Sequence, residues 1–360
     1  MKKFNVGILG ATGAVGQNYA LLLNNHPWFN VTYLAASSKN ESKTYSQALE
    51  NKWFMDKEIP NKLKNIILAD ASKPSKALEL CDFIFSSYES SKEEICNTEM
   101  EYARLGIPVI SNNSAHRWTK DVPMIIPEIN YNHLGLIGIQ KKNRGFSKGF
   151  VVTKPNCSIQ SFLTPVYALI ANGYFVDKII ATTLQAISGA GYPGVPSLDI
   201  IDNIVPYIGG EEEKTELEPL KILGNIVNES INNYDKLKIS ATCTRVPVIN
   251  GHTASINLSF VGIKPSLDEI ISTWNNFTSE PQRLNLPSAP KKPIIYLNEE
   301  NRPQPRKDRD NDKAMAVSVG RLRECDIFDI KFIGLSHNTI RGAAGGAILT
   351  AELLAAKDYL

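Results

Sequence analysis

Three glycines near the start of the chain constrain its fold more than any other feature. Gly10-Ala11-Thr12-Gly13-Ala14-Val15-Gly16 follows a short apolar run, residues 4–9, and opens a helical pattern that continues through Leu23. Strand, glycine loop, helix is the context that a dinucleotide fingerprint requires. Glycines let the backbone approach a pyrophosphate, which then sits on the helix N-terminus. The spacing is G-x-x-G-x-x-G rather than G-x-G-x-x-G. A tight strand–helix turn without a ligand is the plainer alternative. Further strands read at residues 31–36, 65–68, 82–87 and 108–111, with a helix over 92–104. Strands alternating with helices imply right-handed βαβ units and a parallel sheet.

The character changes after Cys157. Segments 178–187, 239–246, 252–261, 294–297 and two runs within 315–335 are β-rich, and several alternate as in an antiparallel sheet with one wet face. Helices read at 197–204, 212–227 and 267–277, and a small-residue helix at 341–357. The polar, proline-containing stretch 298–312 reads as the longest loop. A chain of 360 residues can hold two such domains. The fold class is α/β: an N-terminal Rossmann domain with a parallel sheet, then an α+β domain with a mostly antiparallel sheet.

Asn156-Cys157-Ser158 sits where a strand-like run, 149–155, gives way to a helical run, 159–171. A thiol at a helix N-terminus feels the positive end of the peptide dipoles, which favours the nucleophilic thiolate. Backbone N–H groups and the amide beside the thiol can also hold an oxyanion. The plain reading of one cysteine is a buried small hydrophobe. Other motifs add weight to the chemical one. Gln185-Ala186-Ile187-Ser188-Gly189 runs from a buried strand into a Gly-rich loop, the kind of segment that carries ligands. Arg245 is a guanidinium inside a strand, and a buried one needs an anion such as a carboxylate. His252 opens the next strand and could serve a cysteine as acid/base partner. Arg117 and Lys214 could bind phosphate, though each alone reads as a surface charge. At the end of the second strand stands Ala36-Ser37-Ser38-Lys39, where an NAD site usually has Asp or Glu. Two hydroxyls and a cation suit a 2′-phosphate, so the cofactor reads as NADP.

The net charge of +2 gives no reason to expect nucleic acid or an anionic membrane as partner. Five cysteines, widely spaced and without C-x-x-C, suggest a reducing, cytoplasmic setting with neither disulfide framework nor metal site.

Together these motifs resemble aspartate-β-semialdehyde dehydrogenase, in its archaeal and fungal branch. The matching stretches are Gly10 to Gly16, 111–114 with Arg117, 123–130, 155–158, 185–193, 211–214, 245–252 and 338–346. The resemblance implies reductive dephosphorylation of L-4-aspartyl phosphate by NADPH, giving L-aspartate 4-semialdehyde and phosphate, a step toward Lys, Met and Thr. It implies Cys157 as the nucleophile that forms an acyl-thioester, Asn156 at the oxyanion, His252 as acid/base and Gln185 orienting the thioester. Arg245 would grip the substrate carboxylate, with Glu212, or else Glu211, answering the amino group. Arg117 and Lys214 would bind phosphate. Gly10, Thr12, Gly13, Ala14, Val15, Ser37, Ser38, Ser188, Gly189 and Asn338 would line NADP. The implied domains are 1–156, closed by the C-terminal helix 338–360, and 157–337, which carries catalysis and builds a homodimer or homotetramer. The nearest rival is malonyl-CoA reductase, which shares the Cys, Arg and His; Asn156 speaks against it, since that enzyme has an apolar residue there. An N-acetyl-glutamyl-phosphate reductase fits the flanking motifs less well. A catalytically silent NADP-binding sensor is the rival from another class.

Overall fold

The computed structural model describes residues 3–360. The first sheet holds β1 (Phe4–Leu9), β2 (Phe29–Ala36), β3 (Ala69–Asp70), β4 (Phe83–Ser86), β5 (Val109–Ser111) and β6 (Val151–Thr153). All its pairings are parallel, in the order β3-β2-β1-β4-β5-β6. The chain therefore winds from β1 to one edge, then returns to β4 and winds to the other. A ligand crevice is expected where that direction reverses, beyond the carboxyl ends of β1 and β4. Val6, Ile8 and Leu9 of β1 and Phe83, Ile84 and Phe85 of β4 are all inaccessible to solvent. Helices cover both faces of such a sheet, so its central strands are apolar throughout.

The third strand differs from its expected place at 65–68. Those residues pair instead with residues 42–45: Leu68 N–H donates to Lys43 O, and Tyr45 N–H to Ile66 O. Only Ala69 and Asp70 reach register with Ala35 and Ala36 of β2. Two helical expectations also shorten. The segment 197–204 is helical only over Ser197–Ile200. The helix expected at 212–227 runs Glu211–Ile222. It stops because β8 (Asn225–Val227) pairs with β9 (Ser230–Asn232), and Gly224 lies against that hairpin, where a Cβ would come 2.3 Å from Asn232 O.

The second sheet holds β7 (Phe175–Gln185), β10 (Lys238–Arg245), β11 (His252–Val261), β12 (Ile294–Leu297), β13 (Val317–Glu324) and β14 (Ile330–Ser336). Its order is β10-β7-β11-β14-β13-β12. The three inner pairings are antiparallel and the two outer ones parallel. Alternation along β11 buries Ala254, Ile256, Leu258 and Phe260 against Ile159, Phe162, Leu163 and Trp274. Each large apolar side chain so buried contributes about 1.5–3 kcal/mol. The turn that follows β6 is thereby clamped onto the second sheet. Gly334 of β14 allows it: a Cβ there would sit 2.0 Å from Ser161 O.

After β14 the chain returns to the first sheet. The helix Gly345–Ala356 buries Ile348, Leu349, Leu353 and Leu354 in the same core as Val6, Ile8 and Phe85. Its Glu352 accepts from the Ser288 hydroxyl (2.6 Å) and lies 2.8 Å from His26 Nε2. The loop 298–312 is broken by a helical turn at Pro305–Asp308. Among the described residues no helix is long and apolar enough to cross a membrane.

Candidate active site

Pro155 ends the run from β6, and Cys157 begins a 3-10 turn over Ser158–Ser161. The α-helix starts only at Leu163, after Phe162 departs from helical geometry (φ −138°). The dipole at the thiol is thus that of a single short turn, not of the helix the sequence suggested. Asn156 fixes this turn from three sides. Its N–H donates to Glu218 Oε2 (2.6 Å), and its Oδ1 accepts from both the N–H and the hydroxyl of Ser158 (2.7 Å each). Its Nδ2 donates to both carboxylate oxygens of Glu211 at 2.9 Å. The amide expected at the oxyanion is therefore turned to Glu211.

His252, the first residue of β11, is fully buried and places Nε2 3.3 Å from Cys157 Sγ. Its Nδ1 accepts the Ala186 N–H at 3.0 Å. A backbone N–H can only donate, so the neutral ring carries its hydrogen on Nε2, facing the sulfur. Burial, with Arg245 and His337 nearby, pushes the imidazolium down to about 3. The ring is neutral at physiological pH.

Gln185 ends β7 and Arg245 ends β10, side by side in parallel register. Gln185 Nε2 donates to Glu211 Oε2 (3.3 Å). Arg245 is buried and donates from Nη1 to Ala186 O (2.8 Å); the rest of its fork makes no hydrogen bond to a described residue. Lys214 donates to Glu211 Oε1 (3.0 Å). Glu211, buried, thus gathers Asn156, Gln185 and Lys214. Burial pushes its carboxyl up, but Lys214 and the two amides outweigh that, and the net shift is down. Glu212, preferred from the sequence, is the wrong glutamate for this cluster. One residue along a helix turns a side chain by 100°, and Glu212 instead accepts the Cys243 N–H from β10 (3.1 Å). Arg117 is committed inside the protein: it pairs with Glu218 at 2.8 Å and donates to Lys154 O and Asn112 O.

Burial also pushes the Cys157 thiol up, to about 11, and Glu211 adds to it; Lys154, Arg117 and Arg245 pull the other way. That rise represents on the order of 2–3 kcal/mol against the thiolate. An exposed helix terminus offsets only about 0.3–1 kcal/mol. At this thiol, burial therefore outweighs the pull of the dipole toward the thiolate.

The glycine loop lies where the sequence put it. Gly10 has φ +75°, and a Cβ on it would strike Ser87 O at 2.3 Å. Gly13 caps the helix Ala14–Leu22 with no side chain on its free N–H groups and no acid in its first turn. Thr12, Ala14 and Val15 are partly exposed beside it. Uncapped donors with no acid in the helix's first turn fit a pyrophosphate. A cleft of about 550 Å³ runs from Ala14 and Asn18 to Ser188, Gly191, Tyr192 and Thr339. Phe54 stacks on Tyr192 at its rim, ring centroids 4.7 Å apart. Asn338 donates to the Ser188 hydroxyl and accepts the Gly251 N–H, both at 2.8 Å, tying the 187–190 turn to the start of β11. Gly189 lies over the reacting groups: a Cβ there would be 2.8 Å from Arg245 Nη1 and 3.1 Å from His252 Cε1. Ser37 and Ser38 are exposed just past β2, on the same edge of the sheet as the glycine loop, outside that cleft.

Two groups escaped the sequence reading. Glu218 holds both Asn156 and Arg117. Its signal was helical spacing: Glu211, Lys214, Glu218 and Lys221 share one face at intervals of three and four. Lys154 is the other; it is 3% exposed, and its amine donates to Pro155 O.

Two family models match the chain: semialdehyde dehydrogenase, NAD binding domain, over residues 5–137, and semialdehyde dehydrogenase, dimerisation domain, over 166–341. The aspartate-semialdehyde dehydrogenase of Methanothermobacter thermautotrophicus is 43% identical over 97% of this chain and 98% of its own length. That of Aspergillus fumigatus is 42% identical over 99% of both. The crystal structure of the Candida albicans aspartate-semialdehyde dehydrogenase with NADP superposes with a TM-score of 0.91 at 38% identity, covering both chains completely. On fold and sequence alike, this chain belongs to the aspartate-semialdehyde dehydrogenase family.

Proposed function

We propose that the chain reduces L-4-aspartyl phosphate to L-aspartate 4-semialdehyde with NADPH and releases phosphate. The observation that carries this reading is Cys157 Sγ at 3.3 Å from His252 Nε2, with Arg245 and Glu211 beside the pair. Cys157 attacks the acyl carbon; the acyl–phosphate bond breaks, phosphate leaves with that electron pair, and an acyl-thioester remains. When bound, the reduced nicotinamide supplies the hydride that takes this thioester to the aldehyde level. The C–S bond then breaks and the sulfur leaves with its electron pair as a thiolate, which accepts a hydrogen bond from His252 Nε2–H. The open side of the Arg245 fork receives the α-carboxylate bidentately. Glu211 answers the ammonium group, and Lys214 faces the phosphate, while Arg117 stays paired with Glu218 behind the site.

The test is the reverse reaction: aspartate semialdehyde, phosphate and NADP, followed at the nicotinamide absorbance, with malonyl-CoA and NADPH run in parallel. Turnover confined to the first mixture supports the reading. Turnover confined to malonyl-CoA overturns it.

The absence of an acid at Ser37-Ser38-Lys39 supports NADP over NAD. Ser38→Asp is expected to weaken NADP about tenfold more than NAD, by like-charge repulsion against the 2′-phosphate; equal losses, read by cofactor titration, would remove Ser38 from that site. A homodimer is supported by the match to a dimerisation domain and by the exposed Leu198, Ile201, Ile204 and Tyr207 between β7 and the Glu211–Ile222 helix. Light scattering that returns the mass of one chain would exclude it. All five cysteines are free, which fits a reducing, cytoplasmic compartment.

A further inference from the structure

The peptide groups beside the nucleophile are claimed one by one. The Asn156 N–H donates to Glu218 Oε2 at 2.6 Å, and the Ser158 N–H donates to Asn156 Oδ1 at 2.7 Å. Among the described residues the Cys157 N–H between them meets no acceptor. It is the backbone donor that this turn leaves for an oxyanion. Where that donor and the sulfur stand depends on what grips the chain just before them.

Two charged side chains grip it. Arg117 Nε donates to Lys154 O at 3.0 Å, on one side of Pro155, and Glu218 receives the Asn156 N–H on the other. The two side chains are themselves joined, Arg117 Nη1 to Glu218 Oε1, at 2.8 Å. A closed ring thus runs from Lys154 O through guanidinium and carboxylate to the Asn156 N–H, with Pro155 enclosed. Proline has a fixed φ and no N–H, so the donor gripped here comes from its neighbour. Each carboxylate oxygen of Glu218 serves one donor, the two donors come from different segments, and the residue is fully buried.

The ring is anchored on both sides. Lys221, on the same helix as Glu218, donates to the carbonyls of Arg117 (2.5 Å) and Val122 (3.3 Å). Arg117 Nη2 donates to Asn112 O at 3.3 Å, just beyond β5. At the start of that helix Glu211 holds the Asn156 side chain. One helix therefore carries both the carboxylate that answers the substrate ammonium and the carboxylate that grips the nucleophile's backbone. They stand two turns apart, about 10 Å along the axis.

We propose that Glu218, with Arg117, is the positioning residue of the nucleophile turn: the ion pair clamps the backbone on both sides of Pro155 and so registers the Cys157 sulfur and N–H against His252 and the substrate groups of the Glu211–Ile222 helix. Glu218 acts through the Asn156 peptide; the sulfur's own partner is His252 Nε2. The inference rests on Cys157 being the nucleophile of the proposed reaction.

Two variants test it. Glu218→Gln keeps the shape but has one acceptor oxygen for two donors. Glu218→Asp keeps the charge but draws the carboxylate back by one methylene. In the reverse assay both are expected to lower kcat per intact site about 30-fold, while the Michaelis constant for the semialdehyde and the NADP affinity stay within about threefold. Intact sites are counted by mass spectrometry of the alkylated Cys157 peptide. A residue that only supports folding would lower the melting temperature and the number of intact sites but leave kcat per site unchanged, and that result overturns the proposal. So does wild-type kcat in Glu218→Asp beside a loss in Glu218→Gln, which would make the effect one of charge alone. Should Glu218→Gln not fold, Glu218→Asp is read by itself.

The second measurement is amide hydrogen exchange of the unliganded protein in the peptide covering 151–161. Exchange there is expected to be about tenfold faster in either variant, with the segments around Arg245 and His252 unchanged. Unchanged exchange in this turn overturns the clamp. Exchange needs neither substrate nor cofactor, so failure of the aspartate-semialdehyde assay leaves this result standing, and the reverse holds too.

Discussion

Cys157→Ala is expected to lower kcat by at least about 10⁴-fold, into the range seen when the nucleophile of a covalent enzyme is removed. NADP affinity should stay within a few-fold, because the uncapped helix start at Ala14 lies on the first sheet and does not depend on the sulfur. Reverse-direction turnover and a cofactor titration on the same preparation check both halves. Activity within tenfold of wild type would exclude covalent catalysis through this residue. The substitution deletes a single sulfur atom, so a large loss of melting temperature is not expected and cannot stand in for a chemical effect.

Arg245→Lys is expected to cost about 100-fold in kcat/KM for the semialdehyde, close to 3 kcal/mol, although the charge is retained. The guanidinium presents a planar fork, and one of its nitrogens already donates to Ala186 O at 2.8 Å. Lysine offers a point charge and cannot satisfy that carbonyl and both oxygens of a carboxylate together. Lys214→Ala supplies the contrast, with the Michaelis constant for phosphate rising more than that for the semialdehyde. If Arg245→Lys changes only the phosphate constant, then Arg245 is not the carboxylate clamp.

The fold was legible where local pattern and tertiary demand agree. The alternation of β11 and the glycine loop after β1 are both properties of a few neighbouring residues, and both appear as read. Cys157, His252, Arg245 and Gln185 lie in separate segments, yet the last three each end or begin a strand and Cys157 opens the turn just past the end of β6. Strand ends converge in a sheet, so they could be anticipated as one site. The failures share a cause in long-range geometry. Residues 65–68 look like a strand of the main sheet, but they pair with residues 42–45 instead. Choosing between Glu211 and Glu212 required the helical phase, which depends on the start of the helix at Glu211, after Gly210 at φ +69°. Burial of the thiol was invisible because it arises from side chains brought by β7, β10, β11 and the C-terminal segment, remote in sequence.

One contact has a genetic consequence. In many catalytic pairs a carboxylate side chain orients the imidazole, and its loss shows up in any mutational scan. Here the orienting group at His252 Nδ1 is the peptide nitrogen of Ala186. Nineteen of the twenty amino acids supply the same donor at that position, and only proline lacks it. A saturation library would therefore score residue 186 as an ordinary small buried site, and the group that sets the ring's tautomer would leave no trace in a family's pattern of allowed residues.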